Sequence, residues 1–159
     1  MLARRDAFQT IQDQDEKPAW YLTLESEGRK LYGDDAKLLK DWETTLQKFV
    51  FEKSEVDMVF LDEIQFMKTD ETLENVENIL NNGIDVVSSG LDQDSRGRPW
   101  ETSSMLLGLS DKIIKIYGFC NVCGMEATKT YRKTEGGGRT QVGAADIYEP
   151  RCLKHWEAR

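Results

Sequence analysis

The chain has 159 residues, 21 Lys+Arg against 29 Asp+Glu, a formal net charge of -8 and a pI near 4.8. That length suits one domain with its own core, and that charge would repel a phosphate backbone, which argues against nucleic acid as a partner. No apolar run approaches the roughly 20 residues that cross a bilayer, and the opening stretch has no apolar signal core. A soluble cytoplasmic protein with no membrane partner is expected.

Residues 1–33 are polar, weakly periodic and unassigned, apart from Trp20, Tyr21, Leu22 and Leu24, which read as a short strand. From Asp34 or Asp35 as a cap, Leu38, Leu39, Trp42, Leu46, Phe49 and Val50 recur at spacings of three and four, which predicts a helix with Trp42 in the core. Residues 56–61 are β-branched and aromatic, and predict a buried strand that delivers Asp62 and Glu63 at its C-terminal end. Thr69 and Asp70 offer caps for a helix whose stripe, Leu73, Val76, Ile79 and Leu80, faces a sheet, and Asn81-Asn82-Gly83 ends it. Residues 84–87 predict a second buried strand, so strand, helix and strand form a parallel βαβ unit. After a polar loop, Met105, Leu106, Leu107 and Leu109 predict a short helix, and Ile113, Ile114, Ile116 and Tyr117 a strand that runs into the first cysteines. The fold class is α/β, a parallel sheet with helices over residues 34–117. Residues 118–159 show short strands around Gly136-Gly137-Gly138 and too few apolar residues for a core of their own, so this part requires a staple.

The cysteines supply it. Cys120-x-x-Cys123, 28 intervening residues and then Cys152-x-x-His155 place four soft or borderline ligands in two knuckles, at a spacing that suits tetrahedral Zn²⁺. Three cysteines do not make a disulfide framework, and the only histidine falls three residues after a cysteine. With all four positions filled by protein ligands, the site is structural and does not activate water.

Asp62 and Glu63 at the end of a buried strand have the form of a Walker B segment, in which the first acid holds Mg²⁺ and the second accepts a proton. An apolar run that ends in two acids is also the ordinary form of a strand meeting solvent. The wider pattern joins Asp62-Glu63-Ile64-Gln65-Phe66 to Gly90-Leu91-Asp92-Gln93-Asp94-Ser95-Arg96-Gly97-Arg98-Pro99-Trp100, to both zinc half-sites and to Val142-Gly143-Ala144-Ala145-Asp146-Ile147-Tyr148. In this order, over roughly residues 55–159, the motifs resemble the zinc-containing (type II) thymidine kinases. The resemblance implies a RecA-like kinase sheet over 34–117, incomplete here, and a zinc-stapled lasso subdomain over 118–159.

It also implies transfer of the γ-phosphate of ATP to the 5′-hydroxyl of thymidine, in DNA precursor salvage. By the same resemblance Asp62 holds Mg²⁺ and Glu63 is the general base. Phe66, Leu91, Trp100, Thr130, Gly143 and Tyr148 contact the nucleoside, and the loop of residues 134–149 closes over it. Homo-oligomers are the family habit. Two departures stand out. The family's phosphate loop, G-x-x-x-x-G-K-S/T, occurs nowhere in these 159 residues, and Ser95 stands where an aromatic residue is usual. Activity of this chain alone is therefore doubtful, and a second polypeptide that supplies the phosphate loop is an expected partner. The competing reading is a non-catalytic fragment that binds nucleoside or completes another subunit.

Overall fold

The computed structural model describes residues 58–136, 138–139 and 146–158, together with the backbone of strands at 19–24 and 37–39. The chain divides into two compact units, Met1–Gly90 and Leu91–Arg159.

In the first unit, β1 (Ala19–Leu24), β2 (Lys37–Leu39), β3 (Met58–Leu61) and β4 (Asp85–Ser88) form one sheet in the order β2-β1-β3-β4, and every pairing is parallel. The expected short strand at residues 20–24 is present as β1 and lies inside the sheet, between β2 and β3. The helix predicted from Asp34 fails where it can be compared. Leu38 and Leu39 lie in β2, paired in register with Thr23 and Leu24. Apolar residues at helical spacing also occur where a strand meets a loop, and a ladder partner on β1 decides the matter for these three residues. The remainder of that predicted helix, Trp42 included, lies outside the described residues.

Strand β3 is the centre of the core. Met58, Val59, Phe60 and Leu61 are all buried, as expected of a parallel strand covered on both faces. Helix α1 (Thr69–Asn81) returns the chain to β4, which completes the βαβ unit. Its buried residues are Thr72, Val76 and Ile79, spaced as one helix face, whereas Leu80, predicted on that stripe, is exposed. Neither Thr69 nor Asp70 is the cap. Lys68 takes the cap position, the Thr72 hydroxyl donates to its carbonyl over 2.7 Å, and Asp70 and Glu71 lie in the first turn, where the helix dipole favours acids. Strand β4 is only partly buried, against the prediction of a buried strand, because it lies at the end of the strand order.

In the second unit, loop 92–100 leads into helix α2 (Glu101–Leu109), as the Met105–Leu109 pattern predicts. Thr102, Ser103 and Leu106 are its buried residues. Residues 113–117 are not a strand. They carry strong β propensity but find no ladder among the described residues, and regular structure resumes only at β5 (Gly118–Phe119). Strand β5 pairs antiparallel with β6 (Glu126–Ala127), and β7 (Lys129–Arg132) pairs antiparallel with β8 (Tyr148–Arg151). Among the described residues of this unit the buried apolar ones are Leu106, Cys120, Ala127 and Tyr131. No described helix is long and apolar enough to cross a membrane.

Candidate active site and metal centre

Parallel pairing of β3 with its neighbours delivers Asp62 and Glu63 at the C-terminal end of the sheet, the end at which open α/β sheets place their ligands. Both acids are buried, at 1% and 8% exposure. Asp62 is fixed from two sides: its Oδ1 accepts the Glu63 backbone N–H at 2.9 Å and the hydroxyl of Ser89, the residue after β4. Backbone bonds tie the same two strand ends together, Ser89 N–H to the Leu61 carbonyl at 2.8 Å and Ile64 N–H to the Ser89 carbonyl at 3.2 Å.

Glu63 adopts φ 57°, ψ 37°, the one non-glycine residue with positive φ among the described residues. Such a conformation costs of order 1 kcal/mol or more and persists where surrounding bonds over-determine it. Here the 3₁₀ turn Ile64–Phe66 follows at once, and the Gln65 side-chain amide donates to Glu63 Oε2. Gly90 leaves the room. A Cβ built on it would lie 2.5 Å from Gln65 Oε1 and 2.7 Å from Ile64 Cγ1, so only glycine lets the chain pass this turn so closely. Phe66 ends the turn and is 47% exposed, so it is not part of the core.

In the second unit Asp94 organises loop 92–100. Its buried Oδ1 accepts the backbone N–H groups of Arg96 and Arg98, each at 2.9 Å, and its own N–H donates to the Arg98 carbonyl at 2.9 Å. Gly97, at φ +74°, closes that turn, and a Cβ there would come within 3.0 Å of the Trp156 ring. Leu91, at 44% exposure, opens the loop, and Trp100 closes it as the residue that caps α2. Thr130 and Tyr148 lie on adjacent strands. Register pairs Thr130 with Pro150 and Arg132 with Tyr148, which puts Thr130, Arg132 and Tyr148 on one face of the hairpin. Gly143 lies outside the described residues. A cavity of about 290 Å³ is lined by two arginines, Arg96 and Arg132, with Thr134, Glu135 and Gly136.

Ligand atoms of Cys120, Cys123, Cys152 and His155 all lie within 4.8 Å of one another. Elementary geometry tests the fit. Bonds of about 2.3 Å to sulfur and about 2.05 Å to nitrogen at tetrahedral angles require S–S edges of about 3.8 Å and S–N edges of about 3.6 Å. Observed edges are 3.8 Å from Cys123 Sγ to Cys152 Sγ, 3.8 Å from Cys120 Sγ to His155 Nδ1 and 3.3 Å from Cys152 Sγ to His155 Nδ1. The donor set fits Zn²⁺, with His155 engaged through Nδ1. Each knuckle is closed by its own backbone bond, Gly124 N–H to the Cys120 carbonyl at 2.8 Å and His155 N–H to the Cys152 carbonyl at 3.0 Å.

Burial pushes the Cys120 thiol up, but hydrogen bonds from the backbone of Cys152, Val122 and Cys123 and from the His155 side chain outweigh it and bring it down to about 5. For Cys123 the Met125 backbone hydrogen bond pulls down, yet desolvation and the neighbouring sulfurs prevail and raise it. Arg151 supports the centre from outside. It donates to the His155 carbonyl at 3.0 Å, packs 4.0 Å over the Tyr131 ring and pairs with Glu149, whose carboxyl its hydrogen bond holds below the usual range.

Asp94, Arg132 and Arg139 were not singled out by the motifs as site residues. Asp94 carried a signal, since Asp followed three residues later by Gly is a turn pattern in which the carboxylate caps backbone N–H groups. Arg139 carried none, because its partners lie about forty positions away in sequence.

An α/β unit with two acids at the end of its buried strand, in one chain with a Cys₃His metal centre, is the class of protein that fold and site define. The thymidine kinase family matches residues 31–156, and the chain belongs to that family. It is 41% identical to the thymidine kinase of Rhodothermus sp. (strain ITI 518) over 99 residues, 62% of this chain and 46% of that one. Over 109 residues it is 37% identical to the thymidine kinase of Pyrobaculum aerophilum, covering 65% of this chain and 58% of the relative. The chain thus spans about half the length of these curated relatives.

Proposed function

We propose that these 159 residues are the nucleoside-accepting and base-carrying part of a thymidine kinase, acting in the cytoplasm on thymidine with Mg·ATP as phosphate donor. The carrying observation is the Asp62-Glu63 pair, buried and braced at the end of β3, in a chain that matches the family over residues 31–156. Phosphoryl transfer needs positioning and charge neutralisation more than covalent chemistry. In this reading Glu63, oriented by Gln65, takes the proton of the 5′-hydroxyl, and Asp62 is the acid that would hold Mg²⁺. Phe66, Leu91, Trp100, Thr130, Gly143 and Tyr148 contact the nucleoside. Arg96 and Arg132, which line the cavity, offer donors to its carbonyl or hydroxyl oxygens. Zinc holds the second unit and takes no part in the chemistry.

Donor binding requires more than these residues. A phosphate loop makes several backbone and lysine contacts to the phosphates, and charge-assisted bonds are worth about 1.5–3 kcal/mol each. The loop therefore comes from outside the 159 residues, as further sequence of the same polypeptide or from a second, different chain. Calorimetry of thymidine with the zinc-loaded chain tests the acceptor half of this reading. Saturable binding that is abolished by Trp100→Ala and by chelation of zinc is expected. No binding to the zinc-loaded wild type would contradict it.

A further inference from the structure

We propose that Trp156 is a positioning residue that carries the order of the second zinc knuckle to Thr130 on β7 and to loop 92–100. It directly follows the ligand His155, whose N–H donates to the Cys152 carbonyl at 3.0 Å and whose carbonyl accepts from Arg151 Nη1 at 3.0 Å. The chain therefore leaves the knuckle in a set direction. From the indole, Nε1 donates to the Thr130 carbonyl at 3.1 Å. Register explains why that carbonyl takes a side-chain donor: Thr130 stands opposite Pro150, which has no N–H, so the β7–β8 ladder offers it none. Farther along the ring, Cη2 and Cζ2 lie 3.0 and 3.4 Å from the place of a Cβ on Gly97, so loop 92–100 meets the ring at a glycine, where it can come that close.

Lys129, also on β7, completes the arrangement. Its Nζ lies 5.1 Å from the centre of the Trp156 ring and donates to Gln93 Oε1 in the same loop. Trp156 thus joins knuckle, strand and loop within the second unit. The role suits an indole, which presents an apolar plate with one N–H donor on its edge; phenylalanine keeps a plate without the donor, and leucine keeps neither. This inference rests on the proposed nucleoside site, to which Thr130 and Trp100 of the loop belong. The brace itself is a property of the free chain, and the two are measured separately.

The test uses the zinc-loaded chain and its Trp156→Phe and Trp156→Leu variants, with zinc content measured for each. Without nucleoside, amide exchange at residues 93–98 reports the order of the loop, and the indole N–H resonance that Trp156→Phe removes reports the bond to Thr130. Trp156→Leu is expected to keep its zinc, to speed exchange at residues 93–98 about tenfold and to weaken thymidine binding by a similar factor. Trp156→Phe should restore most of the loop's protection but little of the affinity, because Thr130 loses its donor in both variants. In the Trp156→Leu background, Gly97→Ala should cost less than it does alone, since its methyl no longer meets the ring. Wild-type exchange at residues 93–98 in Trp156→Leu would overturn the brace, and so would loss of zinc from that variant, which would make Trp156 a support of the metal centre alone. Faster exchange with unchanged thymidine affinity would overturn the positioning role. A wild-type chain that binds no thymidine would contradict the kinase reading, and the exchange rates would still decide the brace.

Discussion

Gly90 and Glu63 show how single residues set the site. A Cβ at Gly90 would have to displace Gln65 Oε1 and Ile64 Cγ1, and the Ile64 backbone nitrogen stands only 3.2 Å away, so the turn cannot simply yield. Gly90→Ala is expected to cost about 1–3 kcal/mol of stability, read as a lower urea midpoint at unchanged slope. An unchanged midpoint would mean that the turn moves freely. Gly97→Ala meets a second obstacle, because a φ of +74° strains alanine even before its methyl reaches the Trp156 ring. It should loosen loop 92–100 without disturbing β3. This is visible as faster amide exchange confined to the second unit. At Glu149 the effect depends on pH. Its carboxyl is held below the usual range by Arg151, so the stability from the pair is fully present above the ordinary carboxylate pKa and is lost as pH falls through the lowered value. Denaturation of wild type and Glu149→Gln should show a constant gap from pH 8 to about 5 that closes in more acid solution.

At the scale of elements, the sequence was readable wherever a local pattern alone fixed the answer. Residues 58–61 are apolar without interruption, which suits a strand covered on both faces. The two knuckles were legible because ligand chemistry demands particular residues at particular spacings. Elements that depend on a distant partner were not. Leu38 and Leu39 have helical spacing but obey a ladder to β1, and residues 113–117 have β propensity but no ladder among the described residues. Cap residues were missed by one or two positions, because Lys68 caps α1 through its backbone alone. The knuckles also predict a dependence on metal. Trp156, next to the ligand His155, donates to the Thr130 carbonyl at 3.1 Å and abuts Gly97, so the metal centre braces the strands and the loop together. Chelation of zinc, or Cys123→Ser, is expected to abolish the near-ultraviolet dichroism of the second unit and to raise its amide exchange toward the unfolded rate. Retention of that signal in metal-free protein would show that the small apolar core is sufficient.

At the scale of the whole molecule, the proposed function assigns this chain the acceptor part of a kinase's chemistry and takes the donor part from elsewhere. The acids of β3 and the metal centre were legible as motifs, and their order along the chain carried the family. Roles for Phe66, Leu91, Trp100, Thr130 and Tyr148 came through resemblance, since an exposed aromatic or a half-buried threonine has no signature of its own. The contacts of Arg139 with Asp94 and Pro99 were invisible in sequence because they join residues some forty positions apart. The central claim is that Glu63 is the base of a thymidine-phosphorylating site completed by a phosphate loop from outside these residues. Its most direct test is transfer of labelled γ-phosphate from Mg·ATP to thymidine by the zinc-loaded chain, supplied with a segment that carries a G-x-x-x-x-G-K-S/T phosphate loop, beside the same mixture made with Glu63→Gln. Turnover that requires the added segment and falls about 10²–10⁴-fold in Glu63→Gln is the predicted result. Equal turnover with Glu63→Gln, or none from the completed mixture, would contradict the account.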